Sequence, residues 1–264
     1  MEVDSTLALN PISENLARLG YGVRGLIYGV IGFLAIKIAL GVSGSLQDQQ
    51  GAIASIGQQT YGHILLGIVL VGLIGYSLWG LIRSFLNPLH KGVIERLGFF
   101  ISAIAYGILI IPTYNSFSSI SNAAQNGTQE IQLRSIISTI FLIPFGKWIV
   151  GLIGVIVLIA SFYQVYQGLR WNFDKQFKPY MLTPKQIRAV KIMGRLGTLA
   201  RSIVFLLIGI FLLFASYYSS SAEVKGIDGV LLVILQQPYG HWLLGVVAAG
   251  LIAFGAYSLL SAFW

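Results

Sequence analysis

The sequence predicts an all-α integral membrane protein. Six transmembrane helices form three parallel two-helix repeats in a pseudo-threefold arrangement, with short interfacial helices between spans. Three observations carry this expectation. A ten-residue phrase occurs twice, as QQTYGHILLG at 58–67 and QQPYGHWLLG at 236–245, identical at eight of ten positions. A more diverged copy, LIPFGKWIVG, lies between them at 142–151, so one structural unit is used three times. The chain is 56% hydrophobic and only 10% charged, against roughly 25% charged residues in a soluble domain. That is too little charge to coat a surface facing water. Finally, runs at 23–40, 64–82, 99–111, 149–162, 203–217 and 242–260 carry few or no charges. They approach or reach the roughly 20 apolar residues that cross a bilayer.

The 264 residues read as one membrane domain with repeats at 10–86, 87–175 and 183–264. Each repeat opens on a polar residue and a proline: Asn10-Pro11, Asn87-Pro88 and Thr183-Pro184. Asn or Thr caps a helix, and proline suits the first position, where no backbone donor is needed. Thr183 with Gln186 has capping-box spacing. In the third repeat Lys185, Arg188 and Lys191 alternate with Ile187, Val190 and Ile192, which predicts a basic helix lying on the membrane surface. Arg-Leu-Gly follows in all three copies, at Arg18, Arg96 and Arg195, and then the first span. Pro112 ends or kinks the third span of the chain. Short apolar stretches at 51–56, 131–143 and 229–235 are too short to cross, so they are interfacial or re-entrant. The aromatic-glycine-basic phrase starts the second span, which ends near Trp79, Tyr163 or Tyr257, in keeping with an interfacial aromatic belt. Two crossings return each unit to its starting side, so the copies run parallel.

The net charge of +8 reads as topology rather than as nucleic-acid affinity. Thirteen of the seventeen basic residues fall before span 1, between spans 2 and 3 or between spans 4 and 5, counting the first turns of the helices. Lys and Arg collect on cytoplasmic loops, so both termini are expected inside, with anionic lipid headgroups as partners. The chain has no cysteine, which excludes disulfides, thiolate metal sites and cysteine nucleophiles. Glu2, Asp4 and Glu14 make the N-terminus acidic, unlike a secretory signal.

At the motif level, Ala17-Arg18-Leu19-Gly20-Tyr21-Gly22-Val23-Arg24-Gly25 and Pro238-Tyr239-Gly240-His241-Trp242-Leu243-Leu244 resemble the two signatures of the bacterial membrane family called domain of unknown function 1206. Gly194-Arg195-Leu196-Gly197-Thr198-Leu199-Ala200-Arg201 is a partial match, the middle copy has Ser102 for the second arginine, and the first has Thr60 for the proline. The resemblance implies the three-repeat fold in a bacterial cytoplasmic membrane. It implies no activity.

Arg24 and Arg201 each lie six residues past the interfacial arginine, about 9 Å deeper. Ionisable residues inside a span suggest function. They either form an anion-binding ring or snorkel to headgroup phosphates. Tyr28 and Phe205, four residues on, are candidate cation–π or hydrogen-bond partners. His63, Lys147 and His241 form a second set in the first turns of helices, where the dipole disfavours a cation. Lipid phosphate, a partner carboxylate or a solute would explain them. Two histidines and a lysine make a poor zinc site. Gly25, Gly29, Gly67, Gly151 and Gly245 suit close helix packing. Gln58, Gln59, Gln236 and Gln237 line a polar vestibule or satisfy a helix end. No acidic residue falls well inside a predicted span, which weighs against proton- and sodium-coupled transport. No nucleophile–base pair stands out, so no enzyme, cofactor or metal is expected. Two function classes fit. One is a lipid-associated scaffold or accessory subunit, with membrane lipids and other membrane proteins as partners. The other is a path for small anions or uncharged solutes.

Overall fold

The computed structural model describes residues 11–86, 92–118, 129–170 and 183–263. The expected caps Asn10 and Asn87-Pro88 lie outside them. Among the described residues the chain forms ten α-helices and no strand: α1 Pro11–Ala39, α2 Gln49–Gly57, α3 Gly62–Phe85, α4 Val93–Ile108, α5 Ile110–Ser118, α6 Gln129–Phe141, α7 Gly146–Arg170, α8 Pro184–Tyr218, α9 Ile227–Leu235 and α10 Gly240–Phe263. Six segments are long and apolar enough to cross a membrane: Arg18–Ala39, Gly62–Phe85, Gly98–Ser118, Gly146–Arg170, Pro184–Tyr218 and Gly240–Ala262. The protein is a multi-pass membrane protein.

The local chemistry accounts for these boundaries. Thr183 closes a capping box with Gln186, each side chain bonding the other's backbone N–H. No breaker follows, so α8 runs unbroken for 35 residues, about 52 Å. The expected surface helix is therefore corrected: Lys185, Arg188 and Lys191 sit on the first turns of the span itself. The third span is interrupted at Leu109. Pro112 lacks a backbone donor and its ring crowds the carbonyl four residues back. Thr113 Oγ1 and N both bond the Leu109 carbonyl, at 2.6 and 3.2 Å, and carry the helix on.

The repeated phrase is a corner between a short helix and a span. In each copy the glycine N–H closes a tight turn: Gly62 on Gln59 O at 2.7 Å, Gly146 on Ile143 O at 2.9 Å and Gly240 on Gln237 O at 2.8 Å. A Cβ on any of these glycines would overlap a carbonyl oxygen of the preceding short helix, at Gly57, Ile140 or Leu235. The preceding aromatics Phe145 and Tyr239 hold φ of 66° and 61°, left-handed values that are strained for a bulky side chain. Only a residue without a side chain fits the next position.

The chain packs as two compact units. The first takes the described residues up to Arg24, from Ile53 to Ser118 and from Ser258 on. The second takes Gly25 to Ala52 and Gln129 to Tyr257. In the first, Val23 of α1 fills the space left by Gly72 of α3, and Gly80 of α3 meets Ala103 of α4. In the second, Ala200 of α8 fills the space left by Gly250 of α10, and Ile137, Val150, Leu212, Ala215 and Val224 bury one apolar cluster. One contact recurs at the same repeat position. Ser77 Oγ donates to Ala103 O at 2.8 Å, and Ser161 Oγ donates to Ser202 O at 2.7 Å. Gly255, in that register, lies against Gly25 O. Within the first unit α3 thus meets α4, and within the second α7 meets α8 and α10 meets α1 at Gly25.

Gly240→Ala should reduce the folded yield and the Tm of detergent-solubilised protein. The added methyl meets backbone that cannot move aside, a change that costs about 1–3 kcal/mol or more. Gly98→Ala is the control. A Cβ there has nothing within 4 Å, and alanine in a helix interior gains about 0.5–1 kcal/mol over glycine. Size-exclusion after heating reads both, and equal behaviour of the two variants would refute the corner.

Candidate functional site

Arg201 and Arg24 both point into their units. Arg201 Nε donates to Tyr28 Oη at 3.1 Å. Its guanidinium lies over the rings of Phe205, Phe254 and Tyr28, at 4.8, 5.1 and 5.5 Å. Arg24 Nη1 donates to Tyr76 Oη at 3.1 Å. Tyr76 and Phe254 hold the same position in copies 1 and 3, nine residues past Gly67 and Gly245. The two arginines therefore face one repeat position, filled by an aromatic each time. The expected pairing of Arg201 with Phe205 is present, whereas the hydroxyl of Tyr28 serves Arg201.

Tyr28 is fully buried and also accepts from Gln49 Nε2 at 3.2 Å. It lies about ten residues from either end of its span, so about 15 Å deep. Gln49 is the first residue of α2, so the start of α2 is tied to the middle of the first span by this side-chain bond. Along the preceding loop, residues 40–45 are exposed, and Asp48, Gln49 and Gln50 are buried.

Of the interfacial arginines, Arg18 is half-buried and Arg195 exposed. Arg96 donates to the carbonyls of Ser84 at 2.7 Å and Phe85 at 3.4 Å. It caps the C-terminus of α3, where a cation also suits the helix dipole. His63, Lys147 and His241 are exposed at their corners. His63 stacks on Phe117 at 4.3 Å, and Lys147 Nζ lies 5.7 Å from the Trp148 ring. Around them Tyr61, Phe145, Trp148, Tyr239 and Trp242 are 68–83% exposed. Gln59 and Gln237 bond carbonyls one turn back, at Ser55 and Val233, so these two satisfy a helix end. Among the glycines, Gly67 faces Phe117, Gly151 faces Ser216 Oγ, and Gly25 and Gly29 receive Gly255. Gly245 makes an ordinary contact with Ala39.

A group that sequence reasoning missed lies in the second unit. Glu130 of α6 pairs with Arg134 and accepts from Gly226 N at 3.1 Å, and Arg134 Nε donates to Val224 O at 3.2 Å. Asp228, in the first turn of α9, has its pKa raised to about 6. Burial is the main cause, the charges of Asp48 and Glu130 add to it, and the Gly229 N–H opposes it. Asp228 and Gln50 both stand twelve residues before their corner glycine. That shared register was the one available signal. Among the described residues no three His, Cys, Asp or Glu converge to hold a metal ion.

Asp228 gives a signed pH dependence. Between pH 4 and 6 the folded state keeps a proton that the unfolded chain releases, so stability falls as pH rises through that window. Asp228→Asn should flatten the Tm profile and raise Tm at pH 8 by about 2–4 °C. That corresponds to about 1 kcal/mol once solvent screening of a partly exposed group is allowed for. An unchanged profile would count against this assignment. Tyr28→Phe strips the acceptor from Arg201 and Gln49 together and should cost about 1–3 kcal/mol by thermal unfolding. Tyr217→Phe, on an exposed ring, should cost nothing measurable.

No solved structure matches the chain. It is 30% identical over 255 residues to the uncharacterized protein YxxB of Bacillus subtilis (strain 168), an alignment covering 95% of this chain and 90% of that protein. The family described as Domain of Unknown Function (DUF1206) matches at residues 19–87, 97–170 and 196–264, one match for each repeat. The chain therefore belongs to the DUF1206 family, with three copies of its unit in series.

Proposed function

We propose that this is a non-catalytic membrane protein acting as a lipid-associated scaffold or accessory subunit. It sits in the bacterial cytoplasmic membrane, both termini on the cytoplasmic side, with its repeats related by a pseudo-threefold axis. The observation that carries this reading is the corner. Three times, a span begins with an exposed aromatic, a glycine forced by close approach and an exposed basic-type side chain: Tyr61 with His63, Phe145 with Lys147, Tyr239 with His241. Trp148 and Trp242 extend the aromatic surface at two of them. Amphipathic rings beside a hydrogen-bonding imidazole or ammonium suit the headgroup layer, where a lysine such as Lys147 adds about 1 kcal/mol of attraction to anionic lipid. The recurring Ser77, Ser161 and Gly255 contact supports the threefold element, and the basic excess at one end of the spans supports the orientation.

A second reading, passage of small anions, draws on the inward-facing Arg24 and Arg201. Their guanidinium groups are already engaged by tyrosine hydroxyls and, for Arg201, by three aromatic rings. That favours structural use of the charge.

Two measurements separate the readings. Brominated phosphatidylglycerol should quench tryptophan fluorescence with about fivefold preference over brominated phosphatidylcholine. Combined His63→Gln, Lys147→Gln and His241→Gln should bring that ratio close to one. Chloride efflux from liposomes holding the protein should equal that of protein-free liposomes. Efflux above that background, abolished by Arg24→Ala with Arg201→Ala, would replace the scaffold reading with the transport one.

A further inference from the structure

We infer that the first unit carries a binding site for a phosphate-type oxyanion, centred on Arg83 at the basic end of α3. One face of α3 presents Gly72, Tyr76, Trp79 and Arg83 in turn, three or four residues apart, so they line up along the helix. Arg83 Nη1 donates to Tyr21 Oη at 3.3 Å, and its guanidinium lies 5.1 Å from the Trp79 ring and 4.9 Å from the Phe99 ring. These partners are all neutral. A guanidinium offers five N–H donors, and Arg83 Nε is buried without an acceptor among the described residues. Trp79 is 3% exposed, and its indole N–H is likewise buried without an acceptor.

A permanent charge and a buried indole N–H thus stand side by side among aromatic rings, and neither has an anionic partner among the side chains described. The dipole of α3 favours a cation in its last turn. It does not account for the aromatic walls or for the sequestered indole donor. The guanidinium lies over the indole ring, so the N–H groups of the two side chains leave from different planes. A tetrahedral oxyanion can accept from both, and guanidinium matches phosphate oxygens in a fork. Tyr76, edge-on to Tyr21 at 6.0 Å and bonded to Arg24 at 3.1 Å, brings a second guanidinium to the deeper side of the same cluster. The corners of the proposed function play no part in this site. The shared ligand chemistry is the phosphate group, from an anionic phospholipid headgroup or from free phosphate.

Native mass spectrometry of the protein released from mixed phosphatidylglycerol and phosphatidylcholine nanodiscs tests the lipid source. One phosphatidylglycerol per chain should be retained. Arg83→Gln should weaken retention at least about tenfold, the loss expected for one charge-assisted hydrogen bond. Trp79→Phe keeps the ring stack and removes only the N–H, so it reports on the site even if Arg83→Gln folds poorly. It should weaken retention about threefold to tenfold. The triple corner variant should leave this lipid in place, which separates the outcome from the corner reading. In a second arm, millimolar inorganic phosphate against chloride at equal ionic strength should raise the Tm of detergent-solubilised protein if free phosphate is the ligand, again only with Arg83 and Trp79 intact. No retained lipid and no thermal shift, or either signal unchanged in both variants, overturns the site.

Discussion

Backbone pressed against backbone at three glycines sets the geometry of each repeat. Gly62, Gly146 and Gly240 sit against carbonyl oxygens of the short helices before them, and each glycine N–H closes the turn that reverses the chain. In hydrocarbon an unsatisfied peptide group costs several kcal/mol. A short helix dipping below the interface must therefore satisfy its backbone internally and be held by protein on its flanks. The corner presses the last turn of the short helix against the first residue of the span that follows. At the other end of α2, Gln49 comes within 3.2 Å of the Tyr28 hydroxyl. The strained aromatics Phe145 and Tyr239 follow from the same requirement, since their left-handed backbone turns the chain into the glycine.

Depth then changes what the polar side chains mean. A tyrosine hydroxyl at mid-span must be paired, and Tyr28 is paired twice, by Arg201 and Gln49. The arginine in turn stands among Tyr28, Phe205 and Phe254, whose ring faces attract a cation and exclude water. Aromatic enclosure makes an intramembrane guanidinium a tie between helices. At Arg83 the same kind of enclosure stands beside the buried indole N–H of Trp79, and that neighbour is what sets it apart from Arg201.

Much of the fold was legible because its causes are local. Hydropathy fixes the six spans, the Thr183 and Gln186 spacing fixes the start of α8, and Pro112 explains a break three residues ahead of it. The continuity of α8 was not legible. The basic, alternating start of a long helix has the same pattern as a surface helix, and only the absence of a breaker distinguishes them. The tie from α2 to the first span was hidden for another reason, because Gln49 and Tyr28 lie 21 residues apart with a polar loop between them. At the candidate site the arginines stood out as charges in apolar runs, but their partners did not. Tyr76 lies 52 residues from Arg24, and Tyr28 lies 173 residues from Arg201. No periodicity links such pairs. Asp48 and Asp228 escaped notice because loops beside short helices look wet in a sequence, while here Asp48 is fully buried.

The middle copy tests whether the arginines serve symmetry or local packing. Where copies 1 and 3 have Arg24 and Arg201 on the first span, copy 2 has Ser102. Where they have Tyr76 and Phe254 on the second, it has Ala160. Both halves of the pair are absent together. Had the charge alone been required, as in a ring of equivalent sites, a basic residue would be expected at 102 whatever stood at 160. The paired absence instead fits a charge that is tolerated in the span only with its aromatic partner across the helix interface. The glycine of the Arg-Leu-Gly motif follows the same logic. Gly20 and Gly197 each lie against the aromatic of their own copy, while Gly98 has nothing within 4 Å of an added Cβ. Arginine, aromatic and the glycine that admits it act as one packing device, kept in two copies and dispensed with in the third.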